Sequence, residues 1–347
     1  MKKILPKILI TGGAGFLGSR IVQELLCDET ILETEKIVVF DIQDFKGNQD
    51  PQIEFIKGDI RNYALLEKLC QEIDIIIHCA AIIDWGTRTR EEVLSVNLGG
   101  TQNVIKACKQ FGIQSLVYTS SLDAIFSGKP LIDIDEQQPY PDTYHTVYCE
   151  SKVLGELEVL NASSSNLKTC ILRPSDIYGE ADPYHMGALI EMAKNGFYVR
   201  LGDGSSKCQH VYVGNMAHAH VLAAKALWTK NKNVNNQIYL ITDGQAENFF
   251  KFFDQIVIGA GYKIFPKNLW LPYWLAYSMG AISEFFALIW RPIKHYNPKF
   301  SRFAVVYTCQ DFTFSSKKAI DELHFKPKYN RKQAVKNTSQ FYSVKKE

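Results

Sequence analysis

The decapeptide TGGAGFLGSR, residues 11–20, directly follows the apolar run KILIT and opens a stretch with helical spacing. Leu17, Ile21, Val22, Leu25 and Leu26 fall on one face of that helix. Strand, glycine turn and helix in that order leave few architectures open. Gly12, Gly15 and Gly18 form a G-x-x-G-x-x-G pattern: the first allows the tight turn, the second lets a pyrophosphate approach the backbone, and the third lets the helix pack closely. Free N–H groups and a partial positive charge at the helix start suit phosphate oxygens. The pattern predicts a dinucleotide-binding unit at the head of a doubly wound sheet.

Further runs rich in Ile and Val (KIVVFDI, IEFIKGD, IDIIIHCAA, SLVYTSS, TCILRPS, QIYLIT) alternate with segments of helical spacing. Strands apolar on both faces and separated by helices read as a parallel sheet covered on both sides. The expected fold class is α/β, a doubly wound parallel sheet of Rossmann type with a smaller, mostly helical C-terminal substrate lobe. Residues 1–178 form the nucleotide-binding domain, with 210–246 returning to it, and residues 179–209 and 247–347 form the lobe. At 347 residues and 46% hydrophobic content the chain can bury a large core. A net charge of +2, with no basic cluster interleaved with aromatics in the first half, argues against a nucleic-acid partner. The cysteines at 27, 70, 79, 108, 149, 170, 208 and 309 show neither C-x-x-C nor zinc spacing, so reduced intracellular thiols and no metal are expected. MKKILPKILITGG is broken by Pro6 and Lys7 and is too short for a secretory core. It reads as the first strand, which keeps the protein on the cytosolic side of any membrane it meets.

Past residue 245 the texture changes. ENFFKFFDQIVIGAGYKIF reads as a helix, and between Pro272 and Pro292 lies a run dominated by Leu, Ala, Phe, Tyr and Trp, interrupted by Glu284 and closed by Arg291. A spanning helix needs roughly twenty apolar residues, and a central carboxylate costs about 3 kcal/mol in hydrocarbon, so a true span is disfavoured. A buried lobe helix is one reading. The favoured one makes 269–291 a membrane-associating segment lying in the interface, with Trp270, Trp274 and Trp290 at headgroup level.

Asp41 closes VVFDI beyond the glycine loop, where a carboxylate can accept both hydroxyls of the adenosine ribose and would repel a 2′-phosphate. NAD is therefore expected rather than NADP. Asp59, in KGDIRN after the third strand, is placed for the adenine edge. Ligands of parallel sheets bind at the carboxyl ends of the strands, so Ser121, at the end of YTSS, lies on the cofactor side. Tyr148 and Lys152, in TVYCESK, are one helical turn apart and share a face. A phenol titrating near about 10 is a poor base at neutral pH, but an adjacent ammonium stabilises its phenolate. This suits hydride transfer between a secondary alcohol and nicotinamide. Tyr148 takes the hydroxyl proton, Lys152 supplies the charge and holds the nicotinamide ribose, and Ser121 orients the substrate oxygen. Asn97, in SVNLGGTQNV, is expected to fix the middle helix and a water near the lysine. His218 and His220 point to different helix faces, His185 stands alone, and nothing marks Cys149 as a thiolate, so none is assigned chemistry.

With TGGAGFLG, Asp41, YTSS and Tyr148-CES-Lys152 in place, the chain resembles the extended short-chain dehydrogenases/reductases and, within them, the 3β-hydroxysteroid dehydrogenase/isomerase family. IIHCAAIIDWG, LRPSDIYGE, HVYVGNMAHAH and YLITDG follow that family's order, and LPYWLAYSMGAISEFFALIWRPI and FTFSSKKAIDELHFKPKY are wording that sugar-nucleotide epimerases do not share. The resemblance implies NAD-dependent oxidation of the 3β-hydroxyl of a steroid or sterol to the ketone, with Ser121, Tyr148 and Lys152 as catalytic residues. It implies that Gly12, Gly15, Phe16, Leu17, Gly18, Asp41, Asp59, Ala80, Ala81, Lys152 and Ser175 line the cofactor. Δ5–Δ4 isomerisation would fall to Tyr239 and Asp243, but Gly244 stands where the family has a second acid, which leaves that activity open. The resemblance also implies attachment to the cytosolic face of an internal membrane, such as the endoplasmic reticulum, or to a bacterial cytoplasmic membrane, and it allows a homodimer. Two rival readings share the motifs. A sugar-nucleotide epimerase/dehydratase or carbonyl reductase of the same fold would want polar and basic residues where 249–290 offer Phe, Trp, Leu and Ala. A non-catalytic NAD-binding sensor or scaffold has no need to keep serine, tyrosine and lysine together.

Overall fold

The computed structural model describes residues 5–27, 31–47, 50–84, 88–290 and 301–343. The first half runs β1 (Lys7–Thr11), α1 (Phe16–Cys27), β2 (Lys36–Asp41), β3 (Ile53–Lys57), α2 (Tyr63–Leu69), β4 (Ile75–His78), α3 (Arg90–Phe111), β5 (Ser115–Thr119), β6 (Leu131–Ile134) and α4 (Val147–Ala162). There follow β7 (Lys168–Pro174), β8 (Asp176–Tyr178), α5 (Met186–Lys194), β9 (Arg200–Leu201), β10 (His210–Tyr212), α6 (Val213–Trp228) and β11 (Gln237–Ile241). The chain ends with α7 (Phe249–Gly259), β12 (Trp270–Leu271), α8 (Tyr273–Trp290), α9 (Arg302–Cys309), β13 (Phe312–Phe314), α10 (Lys317–Glu322) and α11 (Arg331–Phe341).

Seven strands form one parallel sheet in the order β11-β7-β5-β4-β1-β2-β3. Successive side chains of a strand point to opposite faces, and β1 shows it: Ile8 and Ile10 join the core under α1 and α6, whereas Leu9 joins the core under α3 and α4. Apolar residues at every position are therefore what a two-sided sheet needs. The strand order reverses between β1 and β4, which opens a crevice at their carboxyl ends, where doubly wound sheets take their ligands. This is the doubly wound architecture expected.

The lobe packs four phenylalanines of α7 (Phe249, Phe250, Phe252, Phe253) with Tyr178, Met186, Leu189 and Phe303, in a core that continues into Leu122, Ile125 and Phe126 just after β5. Outside the main sheet, β8–β10, β9–β12 and β6–β13 form three short parallel pairs. Part of 247–347 also packs against the sheet. Lys318 of α10 donates to the Ile238 carbonyl, Glu322 accepts from the Tyr239 hydroxyl, and Ala319, Leu323 and Phe325 join the core of the sheet. The cause is the position of β11 at the sheet's edge, where an uncovered strand is a liability that α10 removes.

Helix α8 is not a core helix either. Its inner side packs on α9: Ala276 is fully buried, a side chain at Gly280 would come within 2.8 Å of the Arg302 nitrogen, and Glu284 accepts from the Arg302 N–H at 2.8 Å and Nε at 2.7 Å. The outer side stays uncovered, with Trp274 68%, Ile282 56%, Phe285 59% and Phe286 54% exposed. Among the described residues no helix is long and apolar enough to cross a membrane. Arg291 and the side chain of Trp290, both part of the anchor expectation, lie outside the described residues.

Candidate active site

The glycine loop is shaped by contact with the neighbouring strand. Gly12, at φ +70°, would place a side chain 2.7 Å from the Ala80 nitrogen, and one at Gly18 would run into the carbonyl oxygen of Gly12. The loop after β4 thus lies directly against the turn, which brings Ala80, followed by Ala81, to the crevice. Phe16 and Leu17 open α1 half-buried and pack towards the lobe. Asp41 is buried at the end of β2, where its carboxylate accepts the Ala14 N–H and the Gln43 N–H, each at 2.9 Å. Asp59 lies beyond β3, but Arg61 clasps its carboxylate through Nε and Nη2, which holds the acid below its usual range. Ser175 follows β7, with its hydroxyl buried and without a partner among the described residues. An unmet buried hydroxyl costs about 1–3 kcal/mol, so it suits a ligand group that would engage it. Glycine turn, terminal acid and unmet hydroxyl together fit a dinucleotide laid across the β1–β4 crevice.

Thr146 caps α4 by accepting the Cys149 N–H at 3.1 Å, which fixes the turn that carries Tyr148. Tyr148 and Lys152 are both buried, with the Lys152 Nζ 5.7 Å from the centre of the phenol ring and donating to the Thr119 carbonyl at 2.9 Å. Burial pushes the ammonium down to about 8, against the pull of Cys79, Glu156 and Asp123. Burial, reinforced by Asp123 and Tyr184, raises the Tyr148 phenol, and the Ser121 hydroxyl works the other way. The structure therefore brings Ser121, Tyr148 and Lys152 to one place. Asn97 ties this corner together: its side chain accepts from Ile82 N–H at 2.7 Å and donates to the Ile82 carbonyl and to Ser151 Oγ, both at 2.9 Å.

Other residues had to be found in space. Ser121 Oγ donates to Asp123 at 2.6 Å, an acid two positions on whose proximity SSLD could have signalled. Glu156 and Arg173 form a fully buried ion pair that also receives Ser120 and Tyr140. His185 does not stand alone: Asp176 bridges its Nε2 at 2.7 Å and the His210 Nδ1 at 3.0 Å. Burial alone would lower His185, but the Asp176 carboxylate overrides it and pushes the imidazole up to about 9. Nothing in the local sequence announces this cluster.

Tyr239 and Asp243 are not brought to the alcohol-handling corner. Tyr239 is buried within β11 and donates to Glu322 at 2.6 Å, while Asp243 accepts the Tyr212 N–H and the Asn215 amide at 2.9 and 2.8 Å and so fastens the start of α6. His218 bonds to Glu24 and His220 to Thr119 Oγ1 and the Met216 carbonyl, and burial raises the Cys149 thiol to about 12. Among the described residues no three His, Cys, Asp or Glu side chains converge as a metal site.

The sterol-4-alpha-carboxylate 3-dehydrogenase, decarboxylating, of Schizosaccharomyces pombe is 32% identical over 329 residues, covering 94% of each chain. Short-chain dehydrogenase/reductase family 42E member 1 of Danio rerio is 34% identical over 336 residues, 92% of this chain and 84% of that one. Among solved structures, an epimerase of Methanothermobacter thermautotrophicus superposes with a TM-score of 0.75 at 18% identity, covering 97% of this chain and 92% of its own, a likeness of fold. The sequence pattern of the 3-beta hydroxysteroid dehydrogenase/isomerase family matches residues 9–271, and the chain belongs to that family.

Proposed function

We propose that this chain is an NAD-dependent dehydrogenase that oxidises the 3β-hydroxyl of a steroid or sterol to the 3-ketone. The observation that carries the reading is the joint burial of Tyr148 and Lys152 beside Ser121 at the carboxyl end of β5. The glycine loop and Asp41 would hold the dinucleotide, which when bound would supply the acceptor for the carbinol hydride. Tyr148 takes the hydroxyl proton. A unit charge 5.7 Å away, as Lys152 Nζ is from the ring, favours phenolate by about 3 kcal/mol at an effective dielectric of about 20, which offsets part of the rise that burial imposes on the phenol. Ser121 bonds the oxygen on which charge changes. The family, the activity for which the fission-yeast relative is named and the phenylalanine-lined lobe support a sterol-like substrate.

Isomerisation forms no part of the proposal, because Tyr239 and Asp243 are engaged elsewhere and Gly244 lacks an acid. The uncovered face of α8 suits a helix lying in a lipid interface, on the cytosolic side of an internal or bacterial membrane, from which an apolar substrate can be drawn. The test incubates purified protein and NAD with 3β-hydroxysteroids, 4-carboxylated sterols and sugar nucleotides while following cofactor reduction. Reduction with a steroid or sterol and none with sugar nucleotides is expected. Turnover of sugar nucleotides alone would overturn the reading.

A further inference from the structure

The Ser121 hydroxyl is engaged within its own turn. Its hydrogen goes to Asp123 Oδ2 at 2.6 Å, and its oxygen accepts the Asp123 N–H at 3.2 Å. A hydroxyl has one hydrogen and two lone pairs, so in this arrangement no hydrogen is left for the reacting oxygen. The alcohol gives its one O–H to Tyr148 and a ketone has none, so Ser121 can hold either oxygen only by donating to it. With a proton on Asp123 the direction reverses. The acid then donates to Ser121 Oγ, both lone pairs are filled, and the serine hydrogen is released towards the substrate. We propose that Asp123 is a positioning residue that sets the direction of the Ser121 hydroxyl, so that the serine hydrogen reaches the substrate oxygen, and with it the acceptor-only ketone, when Asp123 is protonated.

The surroundings make both states accessible. Asp123 is buried, and its Oδ1 has no partner among the described residues, an arrangement that disfavours a carboxylate. Facing it are Tyr148, Cys149 and Lys152 from α4, Asp176 from β8, itself bridging His185 and His210, and Tyr307 from α9. Burial is the main influence, Asp176 adds to it, and Ser121 and Lys152 oppose it, so the acid titrates at about 6. The same arrangement occurs in outline wherever a buried acid is kept neutral in order to donate.

The choice of ligands rests on the steroid reading above. The test measures binding of a 3-ketosteroid to the enzyme–NAD+ complex, which cannot exchange hydride with it, between about pH 5 and about pH 8. In the wild type, ketone affinity should fall by up to about tenfold, the worth of one hydrogen bond, as pH rises through the Asp123 titration. Asp123→Asn keeps the shape but cannot ionise, so its affinity should be flat across that range, with NAD+ affinity equal to wild type reporting an intact fold. A flat wild-type profile, or the same slope in Asp123→Asn, overturns the proposal. Infrared titration of the enzyme–NAD+ complex serves as a second measurement free of the substrate. A carboxylic-acid carbonyl band that disappears as pH rises through about 6 in wild type, and is missing in Asp123→Asn, supports it; no such band refutes it. A ketosteroid that fails to bind at any pH refutes the steroid reading alone, and the infrared result then decides the role of Asp123.

Discussion

Glu156 lies one turn beyond Lys152 on α4, with no exposed surface, and its carboxylate receives Ser120 Oγ, the Tyr140 hydroxyl at 2.7 Å, and Arg173 through Nε at 2.8 Å and Nη2 at 2.6 Å. It therefore ties together the residue before Ser121, the strand leading to Ser175 and the helix bearing Tyr148. Glu156→Gln preserves the shape but points an amide N–H at donors and leaves a buried guanidinium without a counter-charge. Breaking a buried pair from one side costs about 3–5 kcal/mol. Roughly 2.1 cal/mol/K of unfolding entropy per residue over 347 residues amounts to about 0.7 kcal/mol/K. The expected fall in melting temperature is therefore about 4–7 °C, read by differential scanning calorimetry. Replacing both members of such a pair with apolar residues of similar volume is far less harmful, so Glu156→Met with Arg173→Met should recover part of the loss. A Glu156→Gln protein melting within about 1 °C of wild type, or a double variant melting below the single one, would refute the reasoning.

Tyr148→Phe should lower kcat by about 10²–10⁴ with NAD affinity, measured by calorimetric titration, left near wild type; retained turnover rejects the phenol as proton acceptor. Asp41→Ala should weaken NAD binding more than NADP binding, and an unchanged ratio of the two dissociation constants rejects the ribose assignment. His185 is held protonated by Asp176, so its contribution to stability is full below about pH 6.5 and is lost as pH rises through about 9. Melting temperatures scanned across that window should fall more for wild type than for His185→Gln, the difference corresponding to a loss on the order of 3 kcal/mol; parallel curves reject the pairing. Phe285→Asp with Phe286→Asp, both on the uncovered side of α8, should abolish co-sedimentation with phospholipid vesicles while leaving the melting temperature near wild type. Unaltered vesicle binding rejects that face as the contact.

The parts of this molecule that the sequence discloses are those whose logic is local. The glycine turn, Asp41, and the Tyr148–Lys152 pair sit at fixed offsets within a strand–turn–helix or a single helical turn, so spacing alone conveys their geometry. Strand periodicity likewise implies a sheet buried on both sides. What escapes is settled between distant elements. Asp176 meets His185 and His210 only because β8 pairs with β10 and α5 folds back over them. Glu284 looks like a charge stranded in an apolar helix until α9 supplies Arg302. Tyr239 has family wording on its side, yet its hydroxyl is claimed by α10, which covers the sheet edge. In each case the partner lies in another element of the fold, at a distance that no period or motif encodes.

The bond from Ala14 N–H to Asp41 has a thermodynamic consequence. It staples the phosphate-facing turn to the strand end that would meet the ribose, so both contacts are held in register by the protein's own backbone. A nucleotide docking there freezes little additional motion, and preorganisation of this kind conserves affinity that a floppy loop would forfeit.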